Sequence, residues 1–281
     1  MPMLIPISQS LQNVLEKVSR ETGEPISHLV SGALAHCFDV PQHTLFQVST
    51  SGALVQGVYE RAVSTNLLLQ HGDFGLGTFE NLDGEMVVLE GAVYQVRSDG
   101  TVRKIITDVG TPFAVVLPFA ADQDEQIADS TTFQDLTEYC DRCRDSNNLF
   151  YAFRVDGHFH HVRTRAMRAT TAPLAQAAAV QPEFNFTELE GTLVGLWAPS
   201  FSSALNIAGY HFHFLSADRT KGGHLLDCGG SNLRIRVERL NDFHLSLPES
   251  EEFLRADLTK DTSKDLAYAE QSHKKETTDA D

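Results

Sequence analysis

The sequence predicts an α+β protein that consists mostly of antiparallel β-sheet, has few helices and begins with a helical extension. From residue 45 onward, short segments with strand-like alternation are separated by glycine-containing turns, among them Glu90–Gly91 and Asp99–Gly100. Sustained helical spacing of apolar residues is confined to residues 1–42 and a few short stretches. The chain has 281 residues, 42% hydrophobic and 21% charged, which suits one large or two modest globular domains.

Residues 1–42 predict two helices in succession. The first has apolar residues at the spacing of one helical face, namely Leu11, Val14, Leu15 and Val18. The second starts near Ser27 and ends near Pro41. The extension contains no residues that suggest chemistry, so we expect it to pack on the body of the protein or on a partner subunit.

The segment that follows predicts strands joined by tight turns and interrupted by helices at 65–70 and 131–144. The predicted strands are 45–50, 82–89, 91–96, 102–106, 113–119, 149–155 and 159–165, the last two forming a hairpin around Asp156–Gly157. The glycine-rich stretch 71–79 has neither the spacing of a dinucleotide-binding loop nor that of a P-loop.

The later part of the chain predicts a linker, more strands and a helical tail. The small-residue segment 175–179 is interpreted as a linker between two halves. Strands are predicted at 190–197, 233–240 and 243–247, and the tail at 250–269 is predicted to be helical.

A histidine-rich hairpin lies between these strands. His211 and His213 are two residues apart in an apolar strand, so they project to the same side of it. A polar loop with two glycines follows, and the returning strand carries His224. Three imidazoles that leave a further position open are the ligand set of a catalytic zinc ion rather than a structural one.

Two other motifs have less support as sites. His158, His160 and His161 offer a second H-x-H pattern, but no third ligand follows at hairpin spacing, which favours an exposed strand edge. Cys140 and Cys143 form a C-x-x-C in a polar helical stretch without a second such pair, which favours ordinary thiols.

Charge and hydropathy narrow the range of partners. The net charge is −16 and basic residues form no block, which argues against nucleic acid. No apolar run approaches the roughly 20 residues that span a bilayer. Met1–Ser10 has no basic and apolar segments of a secretory signal, so we expect a cytoplasmic protein. A small anionic substrate would need a nearby arginine.

Several long sequence motifs, taken together, resemble those of the α-acetolactate decarboxylase family. They are FQVST (46–50), HGDFGLGTF (71–79), LDGE (82–85), YQVRSDG (94–100), TPFA (111–114) and GYHFHF (209–214). The motifs occur in the same order as in the family, and the resemblance extends from about residue 44 to residue 271. It implies a two-domain α/β fold with mixed and antiparallel sheets, commonly dimeric. We expect the domains at 43–172 and 173–281, preceded by the helical extension 1–42, to which the resemblance assigns no role.

The resemblance also implies the residues of the active site. The zinc ligands fall on the three histidines of the hairpin, and a glutamate near the metal falls on Glu85. The active-site arginine falls on Arg165, with Arg163 two residues earlier as the less favoured choice. A second glutamate falls on Glu270.

These residues suit the decarboxylation of 2-acetolactate, a 2-hydroxy-3-keto acid, to acetoin and CO₂. Zinc chelating the hydroxyl and carbonyl oxygens would act as a Lewis acid and stabilise the enediolate that forms. Arg165 can hold the substrate carboxylate, and Glu85 or Glu270 can supply the proton.

Two alternatives remain open at this point. A cupin-like metal oxygenase also has an H-x-H strand, but it needs a glutamate a few residues later, where this chain has Phe214–Ala217. A non-catalytic zinc-binding module acting through its N-terminal helices would have a closed fourth ligand. Neither alternative explains the phrase at residues 71–79.

Overall fold

The computed structural model of the chain describes residues 5–22, 26–38, 43–127 and 131–270. It divides into two compact units, Met1–Gln42 and His43–Asp281. The first unit contains helices α1 (Gln9–Thr22) and α2 (Ile26–Phe38), as the apolar spacing predicted. No helix in the described ranges is both long enough and apolar enough to cross a membrane.

The second unit is mostly sheet. Its strands are β1 (Thr44–Val48), β2 (Val63–Ser64), β3 (Phe74–Thr78), β4 (Glu85–Leu89), β5 (Ala92–Val96), β6 (Val102–Lys104), β7 (Gly110–Thr111), β8 (Ala114–Leu117), β9 (Gln123–Ile127), β10 (Thr131–Thr132), β11 (Phe150–Arg165), β12 (Glu183–Ala198), β13 (Gly209–Ser216), β14 (Gly222–Leu240) and β15 (Asp242–Ser246). Its helices are α3 (Ser51–Val55), α4 (Thr65–His71), α5 (Phe133–Cys143), α6 (Leu174–Ala179), α7 (Glu251–Arg255) and α8 (Ser263–Glu270).

The first large sheet has seven strands in the order β15-β1-β8-β3-β4-β5-β6. Its pairings are antiparallel except that β15 runs parallel to β1, so the sheet is mixed. The strand β15 comes from the later part of the chain. The predicted domain boundary at residue 172 stays a prediction, and the predicted α+β class with few helices is confirmed.

The second large sheet closes on itself. Strand β11 pairs with both β12 and β14, β12 pairs with β13, and the start of β14 pairs with the end of β13. Strands β9 and β10 add to β14. The apolar side chains of β4 and β8 in the first sheet share a core with those of β11 and β12 in the second. Strand β4 also contacts β13 and β14, and the candidate site lies there.

Two predictions about local structure are wrong. The expected hairpin at Asp156–Gly157 does not form, because β11 continues through it and is paired on both sides by β12 and β14. The Asp156 carboxylate accepts hydrogen bonds from Arg154, Arg236 and Thr192, which ties this dipeptide into the sheet. The expected linker at 175–179 belongs to helix α6, consistent with the high helix propensity of alanine.

Candidate active site

The three histidines of the predicted hairpin meet on one face of the second sheet. In β13, His211 and His213 share a face while Phe212 and Phe214 pack into the apolar core behind it. In the register between β13 and β14, His213 lies directly opposite His224. All three imidazoles are buried. The alternation of a strand and one short loop therefore bring the three side chains together.

Their ring nitrogens converge at distances that suit a shared metal ion. The Nε2 atom of His211 lies 3.1 Å from Nε2 of His213 and 3.1 Å from Nδ1 of His224. Zinc–nitrogen bonds of about 2.0–2.1 Å in a tetrahedral site would separate two ligand nitrogens by about 3.3 Å. The donor set therefore fits a divalent transition metal such as zinc.

The backbone of β4 fixes the tautomer of one of these histidines. The Nδ1–H of His213 donates a hydrogen bond of 2.8 Å to the carbonyl oxygen of Met86. In the neutral ring the lone pair is then on Nε2, which faces the other two histidines. A carbonyl that orients a metal-binding histidine in this way is a frequent second contact in metal sites.

Burial keeps these imidazoles neutral. It lowers the pKa of His211 to about 3, with a smaller contribution from the positive charge of Arg165. It also holds the pKa values of His213 and His224 well below the ordinary histidine value. Neutral imidazole is the form that binds metal, so the three nitrogens are available at neutral pH.

Glu85 approaches the histidines from the opposing sheet. It is the first residue of β4 and is buried. Its Oε1 accepts a hydrogen bond of 3.0 Å from the backbone N–H of Met167, and its Oε2 lies 3.7 Å from Nε2 of His213. The preceding Gly84 has φ of +91°, and a Cβ there would lie 2.3 Å from the carbonyl oxygen of Val96. Gly84 thus permits the backbone turn that places Glu85 beside the histidines.

Arg165 completes the polar side of the site. It is the last residue of β11, lies opposite His224 in the register with β14, and is 4% exposed. One guanidinium nitrogen, Nη1, donates a hydrogen bond to the carbonyl oxygen of Ala269 in α8. Arg163, the less favoured choice, has a more exposed side chain and lies 3.5 Å from a carboxylate oxygen of Glu183. Arg165 lines a small cavity beside the three histidines, and Arg163 does not.

The C-terminal helix forms one wall of the site. Leu266 and Ala269 of α8 line the cavity beside Arg165. Glu270, which the sequence suggested as a second glutamate, is the last residue of α8. The side chain of Glu270 lies outside the part of the chain that the structure describes.

A small cavity of about 60 Å³ joins these groups. A cavity of this size has room for several water molecules or for one small organic molecule. Most of its remaining lining is apolar and includes the side chains of Leu54, Leu82, Phe113, Met167, Leu174 and Ile207.

The sequence did not indicate two backbone groups that contact the site. The carbonyl of Met86 and the N–H of Met167 are backbone groups, which any residue type could supply, so no composition signal points to them. Thr78 and Phe113, which also line the cavity, did fall within the phrases at residues 71–79 and 111–114.

Three neutral imidazoles, a carboxylate and an arginine around a small, mostly apolar cavity are typical of metal-dependent enzymes that act on small anionic molecules. Comparison with known proteins identifies the family. The family model described as alpha-acetolactate decarboxylase matches residues 45–260. The chain belongs to the α-acetolactate decarboxylase family, which confirms the resemblance found in its motifs.

Individual relatives agree with this membership. The chain is 39% identical over 247 residues to an alpha-acetolactate decarboxylase of Methylococcus capsulatus, covering 87% of this chain and 95% of the relative. It is 40% identical over 241 residues to that of Raoultella terrigena, covering 85% and 92%. The crystal structure of alpha-acetolactate decarboxylase from Bacillus subtilis strain 168 superposes with a TM-score of 0.79 at 33% identity, covering 82% of this chain and all of that one.

Proposed function

We propose that the protein decarboxylates 2-acetolactate to acetoin and CO₂ with a zinc ion held by His211, His213 and His224. The observation that carries the proposal is that these histidines, Glu85 and Arg165 line one cavity in a chain of a decarboxylase family. A bound zinc ion would supply Lewis acidity for the negative charge that develops on the substrate oxygens as CO₂ leaves. Family membership favours this function over the cupin-like oxygenase and the non-catalytic zinc module.

Arg165 binds and orients the substrate. A buried guanidinium can pair with a carboxylate through two parallel hydrogen bonds, which fixes both the position and the plane of the carboxylate. Its hydrogen bond to Ala269 restricts the side chain before substrate arrives. The chain carries a net charge of −16, which repels anions. The positive charge of Arg165 offsets this repulsion at the site and favours binding of an anionic substrate.

A glutamate delivers the proton to the carbon from which CO₂ departs. Glu85 is held by the N–H of Met167 through one oxygen, while the other oxygen faces the histidines. Glu270 is the second candidate for this step. The apolar walls of the cavity suit the methyl groups of acetolactate.

The proposal is tested by incubating the purified protein with racemic acetolactate, with and without a chelator, and measuring acetoin and its chirality. We expect chelator-sensitive acetoin formation that zinc restores and that His213→Asn abolishes. His161→Asn, at an exposed histidine outside the cavity, is the matched control and should retain full activity. Acetoin formation that is unchanged in metal-free protein would overturn the zinc assignment, and no acetoin formation by metal-loaded protein would overturn the reaction.

We also propose that the enzyme is a cytoplasmic homodimer in which residues 1–42 contribute to packing or to the dimer contact. All four cysteines are free thiols, as is usual in a reducing compartment. Light scattering of the full chain and of a protein lacking 1–42 tests the role of the extension. The shortened protein should change in oligomeric state or melting temperature while keeping its metal and a near-normal kcat. A folded, metal-loaded but inactive shortened protein would instead indicate a lid.

A further inference from the structure

A second group of metal-binding side chains lies on the exposed part of strands β11 and β12. In their antiparallel register His158 lies opposite Glu190 and Phe159 opposite Leu189, which places His160 opposite Glu188. Phe159 is fully buried, so its neighbours His158 and His160 project to the other face of the strand. The H-x-H of β11 and the E-x-E of β12 therefore share that face.

The side chains of this group already contact one another. The Nε2 atom of His158 lies 2.9 Å from Oε2 of Glu188, and Nδ1 of His160 lies 3.6 Å from Oε1 of the same carboxylate. Ligand atoms of His158, His160 and Glu188 all lie within 4.8 Å of one another. These separations bracket the distance of about 3.3 Å expected between two ligands of a tetrahedral zinc ion.

Glu190 contacts the ring nitrogen of His158 that faces away from Glu188, so it can orient this histidine without binding the metal itself. Its Oε1 lies 3.3 Å from Nδ1 of His158, the nitrogen that does not face Glu188. A carboxylate that receives the second ring N–H fixes the tautomer and leaves Nε2 as the metal-binding atom. The four residues thus supply three ligands and one positioning group.

We propose that His158, His160 and Glu188 form a second site for a divalent transition metal ion, with Glu190 as the positioning residue. Two imidazoles and one carboxylate suit zinc, whereas magnesium and calcium prefer oxygen ligands alone. The side chains are partly or well exposed, so water completes the coordination and the ion exchanges readily. The sequence showed no third ligand at hairpin spacing. In the structure this ligand is Glu188, which lies on the neighbouring strand β12.

This site differs from the buried one in ways that an experiment can separate. It lies outside the cavity, and nothing in the proposed reaction depends on it. The exposed positions tolerate substitution without loss of packing, so decarboxylation reports that a variant is folded. His161 provides a matched control because it is the adjacent histidine on the same strand, exposed, and 3.5 Å from Asp227 rather than from Glu188.

The experiment titrates the full-length, purified protein with zinc sulfate against a chromophoric chelator and measures the bound equivalents per chain. We expect two equivalents for the wild type, one of them weaker. The His158→Asn/His160→Asn protein should bind one equivalent with unchanged decarboxylase activity, and His161→Asn should still bind two. His213→Asn should retain the weaker equivalent. Glu190→Gln should weaken that equivalent by about 10–100-fold, as expected for loss of an outer contact.

Binding of a single equivalent by the wild type would overturn the proposal. So would a second equivalent that persists in the double histidine variant, or one that is lost in His161→Asn. Because activity is followed in the same samples, failure of this site is distinguished from failure of the buried metal site, which would remove activity.

Discussion

Replacement of Arg165 by lysine tests the substrate-binding role most directly. Arg165→Lys keeps the positive charge but removes the planar fork that pairs with a carboxylate. A hydrogen bond to a charged group contributes about 1.5–3 kcal/mol, and about 1.4 kcal/mol corresponds to a tenfold change in rate. Loss of one such bond should therefore lower kcat/KM for acetolactate by about 10–150-fold. The hydrogen bond to the carbonyl of Ala269 would also be weakened.

The matched control for this experiment is Arg163→Lys. Arg163 is two residues earlier on the same strand, but its partner is Glu183 at 3.5 Å, and it does not line the cavity. Because ion pairs near the surface contribute at most about 1 kcal/mol, this change should cost less than about fivefold in kcat/KM. The assay is acetoin formation at matched metal content. Equal losses in the two variants, or a loss confined to Arg163→Lys, would refute the assignment of Arg165.

Three further changes test the metal, the packing and the pH dependence of stability. Removing bound metal with a chelator should abolish decarboxylation and lower the melting temperature, and zinc should restore both; full activity in protein shown to be metal-free would contradict this. A Cβ at Gly77 would lie 2.5 Å from the carbonyl oxygen of Phe113, so Gly77→Ala should lower the free energy of unfolding by about 1–3 kcal/mol. Gly52→Ala, whose added Cβ would meet its nearest neighbour at 3.5 Å, should cost nothing measurable in the same thermal unfolding experiment. Burial raises the pKa of Glu238 to about 7, so its carboxyl group binds a proton more tightly in the folded protein than in the unfolded chain. The folded protein therefore loses stability as pH rises through that value. Glu238→Gln should therefore gain stability relative to the wild type between about pH 5 and pH 8 in urea unfolding, and a difference independent of pH would contradict the buried-carboxyl explanation.

The sequence predicted those parts of the site that depend on local geometry. His211 and His213 share a face because side chains alternate along any strand, and His224 is near because one short loop reverses the chain. Glu85 and Arg165 are distant in sequence from the hairpin, so no spacing rule connected them, and only the resemblance to a family indicated them.

Pairing and contacts between distant segments explain features that local sequence patterns do not indicate. Asp156–Gly157 has the composition of a turn, but pairing on both sides of β11 outweighs the local preference. Side chains alternate along β14, so Glu238 shares a face with Arg236, which is partly exposed. Glu238 is nevertheless completely buried, because His43 and the N–H of Ala120 cover its carboxylate from other parts of the chain.

The closed circuit of strands β11, β12, β13 and β14 has a consequence for the rate at which the site can open. Strand β13 is paired with β12 along its whole length and with β14 at residues 213–215, so His213 has a paired strand on both sides. Fraying from a sheet edge is the usual route of local opening, and it cannot begin at this histidine. Amide hydrogens in this part of β13 should therefore exchange with deuterium almost as slowly as global unfolding allows. His213 can then leave its two partner strands only when these paired strands of the sheet separate.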